Sequence, residues 1–83
     1  MNPVRTIIAK ELYQDLSAEA MLLHNLSNEA CKRGDMPNAN YYGDRWDFAL
    51  RMRDDVLADV PKADQPLNWL ERTILAVIRL FRR

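Results

Sequence analysis

The chain has 83 residues, 48% hydrophobic and 29% charged, with twelve basic side chains balanced by twelve acidic ones. This composition excludes a disordered, highly charged chain, and the zero net charge lacks the basic excess on which non-specific nucleic-acid binding usually depends. Cys31 is the single cysteine, so no intrachain disulfide can form, which fits a reducing, cytoplasmic setting.

A chain of this length is expected to form one domain with a marginal core, which self-association often supplements. Two glycines and no Ser/Gly-rich run point to helices joined by short turns, so the expected fold class is all-α, with three helices. No basic segment followed by an apolar run opens the sequence, so no signal peptide is expected. No apolar stretch reaches the ~18–20 residues that span a bilayer. Charge is unevenly distributed: residues 35–66 carry four basic and seven acidic side chains, and residues 67–83 carry four arginines and one glutamate. The simplest use of that asymmetry sets the basic C-terminal helix against the acidic middle one, in the same chain or in a neighbour.

Asn2 and Pro3 form a helix start, with proline where its missing N–H costs nothing. Val4, Ile8, Leu12 and Leu16 then recur every four residues, and the pattern continues through Ala20, Leu23, Leu26 and Ala30. The spacing predicts helix 1 over about 3–33, with Gly34 as its C-cap and Lys32 and Arg33 in the last turn. Ser17 is the one place where this helix can break, since it can cap a new helix with Leu16 and Met21 as a hydrophobic staple. The reading adopted is a single long helix.

Asp35 caps the next helix and Pro37 is tolerated in its first turn, which predicts helix 2 over about 36–60 and a long antiparallel hairpin with helix 1. Ala39, Tyr42, Trp46, Ala49, Leu50, Val56, Leu57 and Val60 share one helix face and are the candidate core. A second stripe, Tyr41, Phe48 and Met52, lies roughly 120° around the helix, with Arg45 between the two. A second stripe calls for a third helix or another chain. Gly43 costs about 1 kcal/mol relative to alanine in a helix. It is read as a place where another backbone approaches closely, the alternative being a helix that starts only at Asp44. The Gly34-Asp35 turn, with Ala39 five residues after the glycine, resembles a tetratricopeptide repeat. Gly43 and Trp46 depart from that family's pattern and no second repeat follows, so its peptide-binding function is not carried over.

Residues 61–66, bounded by Pro61 and Pro66, end helix 2 and form a short, stiff linker. With Asp64 as its expected cap, helix 3 is predicted over about 66–82. It is rich in apolar residues, and Asn68, Glu71, Arg72, Arg79, Arg82 and Arg83 gather on one narrow side. The apolar arc is wider than a single hairpin groove needs.

The sequence presents no catalytic constellation, and no cofactor or metal is expected. His24 is the only histidine and lacks partners for ligation or general-base work. Cys31 lies seven residues from it, roughly 10 Å along a helix, too far for a direct pair, and is expected to be a small buried or half-buried packing residue. No glycine-rich phosphate loop is present. Trp46 falls on the core stripe, and Trp69 on the wide apolar arc of helix 3.

These features point to a non-enzymatic protein–protein interaction module, an adaptor, inhibitor or regulator of the kind that phages and mobile elements encode. It is expected to be a homodimer that also binds another protein. The candidate interface comprises Tyr41, Arg45, Phe48, Met52, Trp69, Arg72, Arg79 and Arg82. The rival readings are membrane-surface association through the amphipathic basic helix 3 and nucleic-acid binding through its arginines, which is not expected because no helix-turn-helix pattern accompanies them.

Overall fold

The computed structural model describes residues 3–82. Among them are three helices and no strand: α1 (Pro3–Lys32), α2 (Met36–Asp59) and α3 (Trp69–Phe81). The Asn2 part of the expected helix start, and Arg83, lie outside the described residues.

The 30 residues of α1 pass Ser17 without a break. Ser17 Oγ donates to the Tyr13 carbonyl one turn back at 2.8 Å, so its hydroxyl is engaged within the helix instead of capping a new one. The helix ends at Gly34, whose φ of 76° is left-handed. There the Gly34 N–H donates to Cys31 O at 3.0 Å and the Asp35 N–H to Ala30 O at 2.8 Å. This paired closure needs a residue that tolerates positive φ. Asp35 then caps α2, accepting from Asn38 N at 3.4 Å and Asn38 Nδ2 at 2.7 Å.

Helices α1 and α2 pack together in opposite directions. Ser27 Oγ donates to Ala39 O at 2.9 Å beside the turn, and Arg5 meets Asp59 at 2.6 Å at the far end. Two small apolar clusters lie between them. One is Ala20, Leu23 and Ala49, with Tyr42, Trp46 and Leu50 against it. The other is Ala9, Val60 and Ala63, with Tyr13, Val56 and Leu57. Alanine dominates both, which lets the helices approach closely but buries little area per residue.

Val4, Ile8 and Leu12 are 38%, 49% and 42% exposed. A four-residue step turns 400°, so that stripe swings about 40° per step away from a straight contact line. The buried face of α1 instead reads Thr6, Ile7, Ala9, Lys10, Leu16, Ala20, Leu23 and Ala30, with Tyr13 and Ser27 half-buried along it. Cys31 is exposed, on the turn side of the helix end. No backbone crowds Gly43, which lies inside α2 and not in a preceding loop. An added Cβ would find only Ser27 Oγ, at 3.6 Å, an ordinary contact. The linker turns back on itself through Ala63 N to Val60 O at 2.9 Å and Gln65 N to Lys62 O at 3.0 Å, with Ala63 fully buried.

The third helix starts at Trp69, three residues later than its spacing implies, and its cap is Asn68 instead of Asp64. Asn68 accepts from Glu71 N at 2.8 Å while Glu71 Oε1 accepts from Asn68 N at 3.1 Å, a reciprocal capping box. Among the described residues, the helix–helix contacts of α3 are with α1 alone.

Candidate interaction surface

The inner side of α3 is polar at its start and apolar beyond. Glu71, Ile74, Leu75 and Ile78 are half-buried. Lys10 Nζ lies 2.6 Å from Glu71 Oε1, with the two side chains 7% and 12% exposed, and Nζ also reaches Pro66 O at 3.4 Å. The Lys10 ammonium, followed by the Asn68 N–H, holds the Glu71 carboxyl below the usual glutamate range, because each stabilises the charged form. Arg79 pairs with Glu11 at 3.3 Å near the surface. Within one chain, therefore, the basic helix lies on α1, and the expected contact with acidic α2 is not made.

The outer side of α3 is a different surface. Trp69, Leu70, Val77, Leu80 and Phe81 are 77%, 52%, 45%, 68% and 86% exposed. At 100° per residue they fall, with Thr73 and Ala76, on an arc of about 140° that contains no charged side chain. Thr73 Oγ1 donates to Trp69 O at 2.9 Å, so the one hydroxyl on this arc is already satisfied. Arg72 and Arg79 run along one edge of the arc. A helix of 13 residues thus has an apolar face on each side, and the chain covers only the inner one.

On α2, Tyr41, Phe48 and Met52 are 53%, 65% and 39% exposed, away from α3. The Arg45 guanidinium stands over the Tyr41 ring at 5.6 Å. Arg45, Phe48 and Met52 line a shallow groove with Leu16, Glu19 and Ala49. A second groove, between α1 and α3, is lined by Ile8, Leu12, Leu75 and Ile78, with Arg79 and Arg82 at its edge. The structure thus brings Arg45, Phe48 and Met52 together, with Tyr41 beside them. Arg79 and Arg82 join a separate groove, and Trp69 and Arg72 belong to the outer side of α3. The composition of that face by Leu70, Val77, Leu80 and Phe81, and its anchoring by Lys10 and Glu71, go beyond the sequence reading. The Asn68-x-x-Glu71 capping pattern was the signal available for the second.

His24 is exposed, with its ring 4.8 Å from that of Trp46 and its Nε2 3.3 Å from Asn28 Nδ2. Among the described residues, no three His, Cys, Asp or Glu side chains are grouped to hold a metal ion, and none of the described helices is long and apolar enough to cross a membrane. No family model, no curated protein and no solved structure matches this chain.

Proposed function

We propose that the chain is a small non-enzymatic protein–protein interaction module, a homodimer that acts by docking on another protein through its helix surfaces. The observation that carries this reading is the uncharged outer face of α3, where five large apolar side chains stand at least 45% exposed on one 13-residue helix. Fully burying a side chain of this kind contributes roughly 1.5–3 kcal/mol, and contiguous exposed apolar surface marks an interaction site. The single exposed thiol of Cys31 fits a cytoplasmic location. Light scattering on the wild type and on Leu80→Asp tests the reading. Association in the wild type, lost in the variant with helical circular dichroism retained, is the expected result. An identical monomeric mass for both proteins at high concentration contradicts the dimer.

A second reading has its own observation. Trp69 and Phe81 stand at opposite ends of the uncharged arc with Arg72 and Arg79 along its edge, residue types found on helices that lie on a membrane surface. Co-flotation with anionic vesicles separates the two. Docking on protein predicts that the intact chain stays behind, whereas flotation that Leu80→Asp abolishes favours the membrane surface.

A further inference from the structure

We propose that the outer face of α3 in each protomer docks on the Tyr41–Phe48–Met52 stripe of α2 in a second copy of the chain, so that two protomers exchange these contacts reciprocally. The inference rests on the self-association proposed above and assigns the two surfaces that meet.

Three observations favour this pairing. The first is spacing. Tyr41, Phe48 and Met52 follow an i, i+7, i+11 pattern; Trp69, Ala76 and Leu80 follow the same pattern, as do Leu70, Val77 and Phe81. Each stripe is therefore about 16 Å long at 1.5 Å per residue. The second is shape. Small residues, Thr73 and Ala76, occupy the middle of the α3 face. In a parallel alignment Phe48 meets Ala76, and in an antiparallel one it meets Thr73, so either direction gives the large ring a recess.

The third is charge. On α2, Asp47 pairs with Arg51, Asp54 lies 4.0 Å from Arg53, and Asp59 pairs with Arg5. Asp44 and Asp55, which flank one side of the exposed stripe at helical spacing, make no ion pair among the described residues, and Arg45, on its other side, stands over the Tyr41 ring. On α3, Glu71 and Arg79 are paired with α1, and Arg72 and Arg82 make no ion pair among the described residues. Of these bases only Arg72 lies along the edge of the outer face, Arg82 belonging to the groove against α1. In an antiparallel alignment, which sets like-handed edges of two helices together and brings Phe48 onto Thr73, the unmatched acids beside the α2 stripe lie on the same side as Arg72. Packing α3 on a second α3 instead sets the arginine edges near each other with no acid between them. The stripe on its own α2 is out of reach, because α3 is held on α1 and makes no contact with α2. Reciprocal exchange about a two-fold axis closes the assembly, as most homo-oligomers do.

Disulfide trapping tests the pairing. In a Cys31→Ser background, Phe48→Cys and Thr73→Cys are made as separate chains, mixed, and oxidised. Both positions are exposed, so the helical circular dichroism is expected to match that of the wild type. The expected result is that mixed 48–73 dimers exceed either like-with-like dimer at least fivefold. A product dominated by 73–73 or 48–48 overturns the exchange and leaves self-association standing. A mixture that stays monomeric in light scattering at high concentration overturns both. As an independent readout, Asp44→Arg with Asp55→Arg is expected to weaken self-association about tenfold, and Arg72→Asp in the same chain to restore part of it. Failure of that substitution to restore any association overturns the charge pairing and with it the exchange.

Discussion

Lys10 on the first helix and Glu71 on the last form an ion pair of 2.6 Å from which solvent is almost excluded. The same Glu71 oxygen closes the α3 capping box by accepting from Asn68 N. One carboxylate therefore both starts α3 and fixes it to α1. Removing one partner of a fully buried pair costs about 3–5 kcal/mol, because the other charge is stranded. Here both side chains keep some contact with solvent, 7% and 12%, so Lys10→Ala is expected to cost less, roughly 2–3 kcal/mol in urea unfolding. Lys10→Met combined with Glu71→Leu is expected to recover much of that loss. An unchanged midpoint in Lys10→Ala counts against the anchoring role.

The same pair sets an acid dependence. The Glu71 carboxyl has a folded value below its unfolded one, owing first to the Lys10 hydrogen bond and then to the Asn68 N–H. Its contribution is complete above the ordinary glutamate value of about 4.3 and is lost as pH falls through the lower folded value. Wild-type stability is therefore expected to drop as pH falls below the ordinary glutamate value, and Glu71→Gln to lack that part of the drop, so that the two curves converge in acid. Parallel curves for the two proteins exclude this linkage.

Gly43 lies within α2 where an added methyl group meets only Ser27 Oγ at 3.6 Å. Alanine removes the backbone-entropy cost of the glycine, so Gly43→Ala is expected to stabilise by about 0.5–1 kcal/mol in thermal unfolding. Destabilisation of that size reveals a closer approach at this turn of the helix than the structure has.

The two aromatic positions of α2 separate core from surface. Trp46 is half-buried against Ala20, Leu23 and Ala49. Trp46→Ala is expected to cost about 3 kcal/mol, the low end of the range for truncating a core aromatic. Phe48 is 65% exposed, so Phe48→Asp is expected to leave the unfolding midpoint nearly unchanged at low protein concentration while weakening association. A large loss of stability in dilute Phe48→Asp places that ring in the fold.

The parts of this fold visible in the sequence are those fixed by local chemistry. Gly34, Asp35 and Pro37 mark the first turn because positive φ, capping and a first-turn proline are requirements of the backbone itself. The α2 core stripe follows from helical spacing alone. What depended on tertiary geometry was not visible. Val4, Ile8 and Leu12 look like a core stripe until the 40° swing per step is counted. Lys10 has the composition of a surface residue, and only the approach of α3 buries it. A capping acid such as Asp64 is as good locally as Asn68, and what favours Asn68 is that Glu71 three residues later also meets Lys10. The apolar excess of helix 3 was plain from composition, yet which side remained uncovered depended on where α3 docks.

In the proposed assembly the outer face of α3 becomes a protein contact when the chain associates. Trp69 reports on this face, and with Trp46→Phe it is the only tryptophan left of the two in the sequence. The most direct measurement is its emission maximum and acrylamide quenching from nanomolar to submillimolar protein. The proposed contact predicts a shift to shorter wavelength and a several-fold loss of quenching as concentration rises, both abolished by Leu80→Asp. Emission that stays at the fully hydrated wavelength, with undiminished quenching across the whole range, contradicts it.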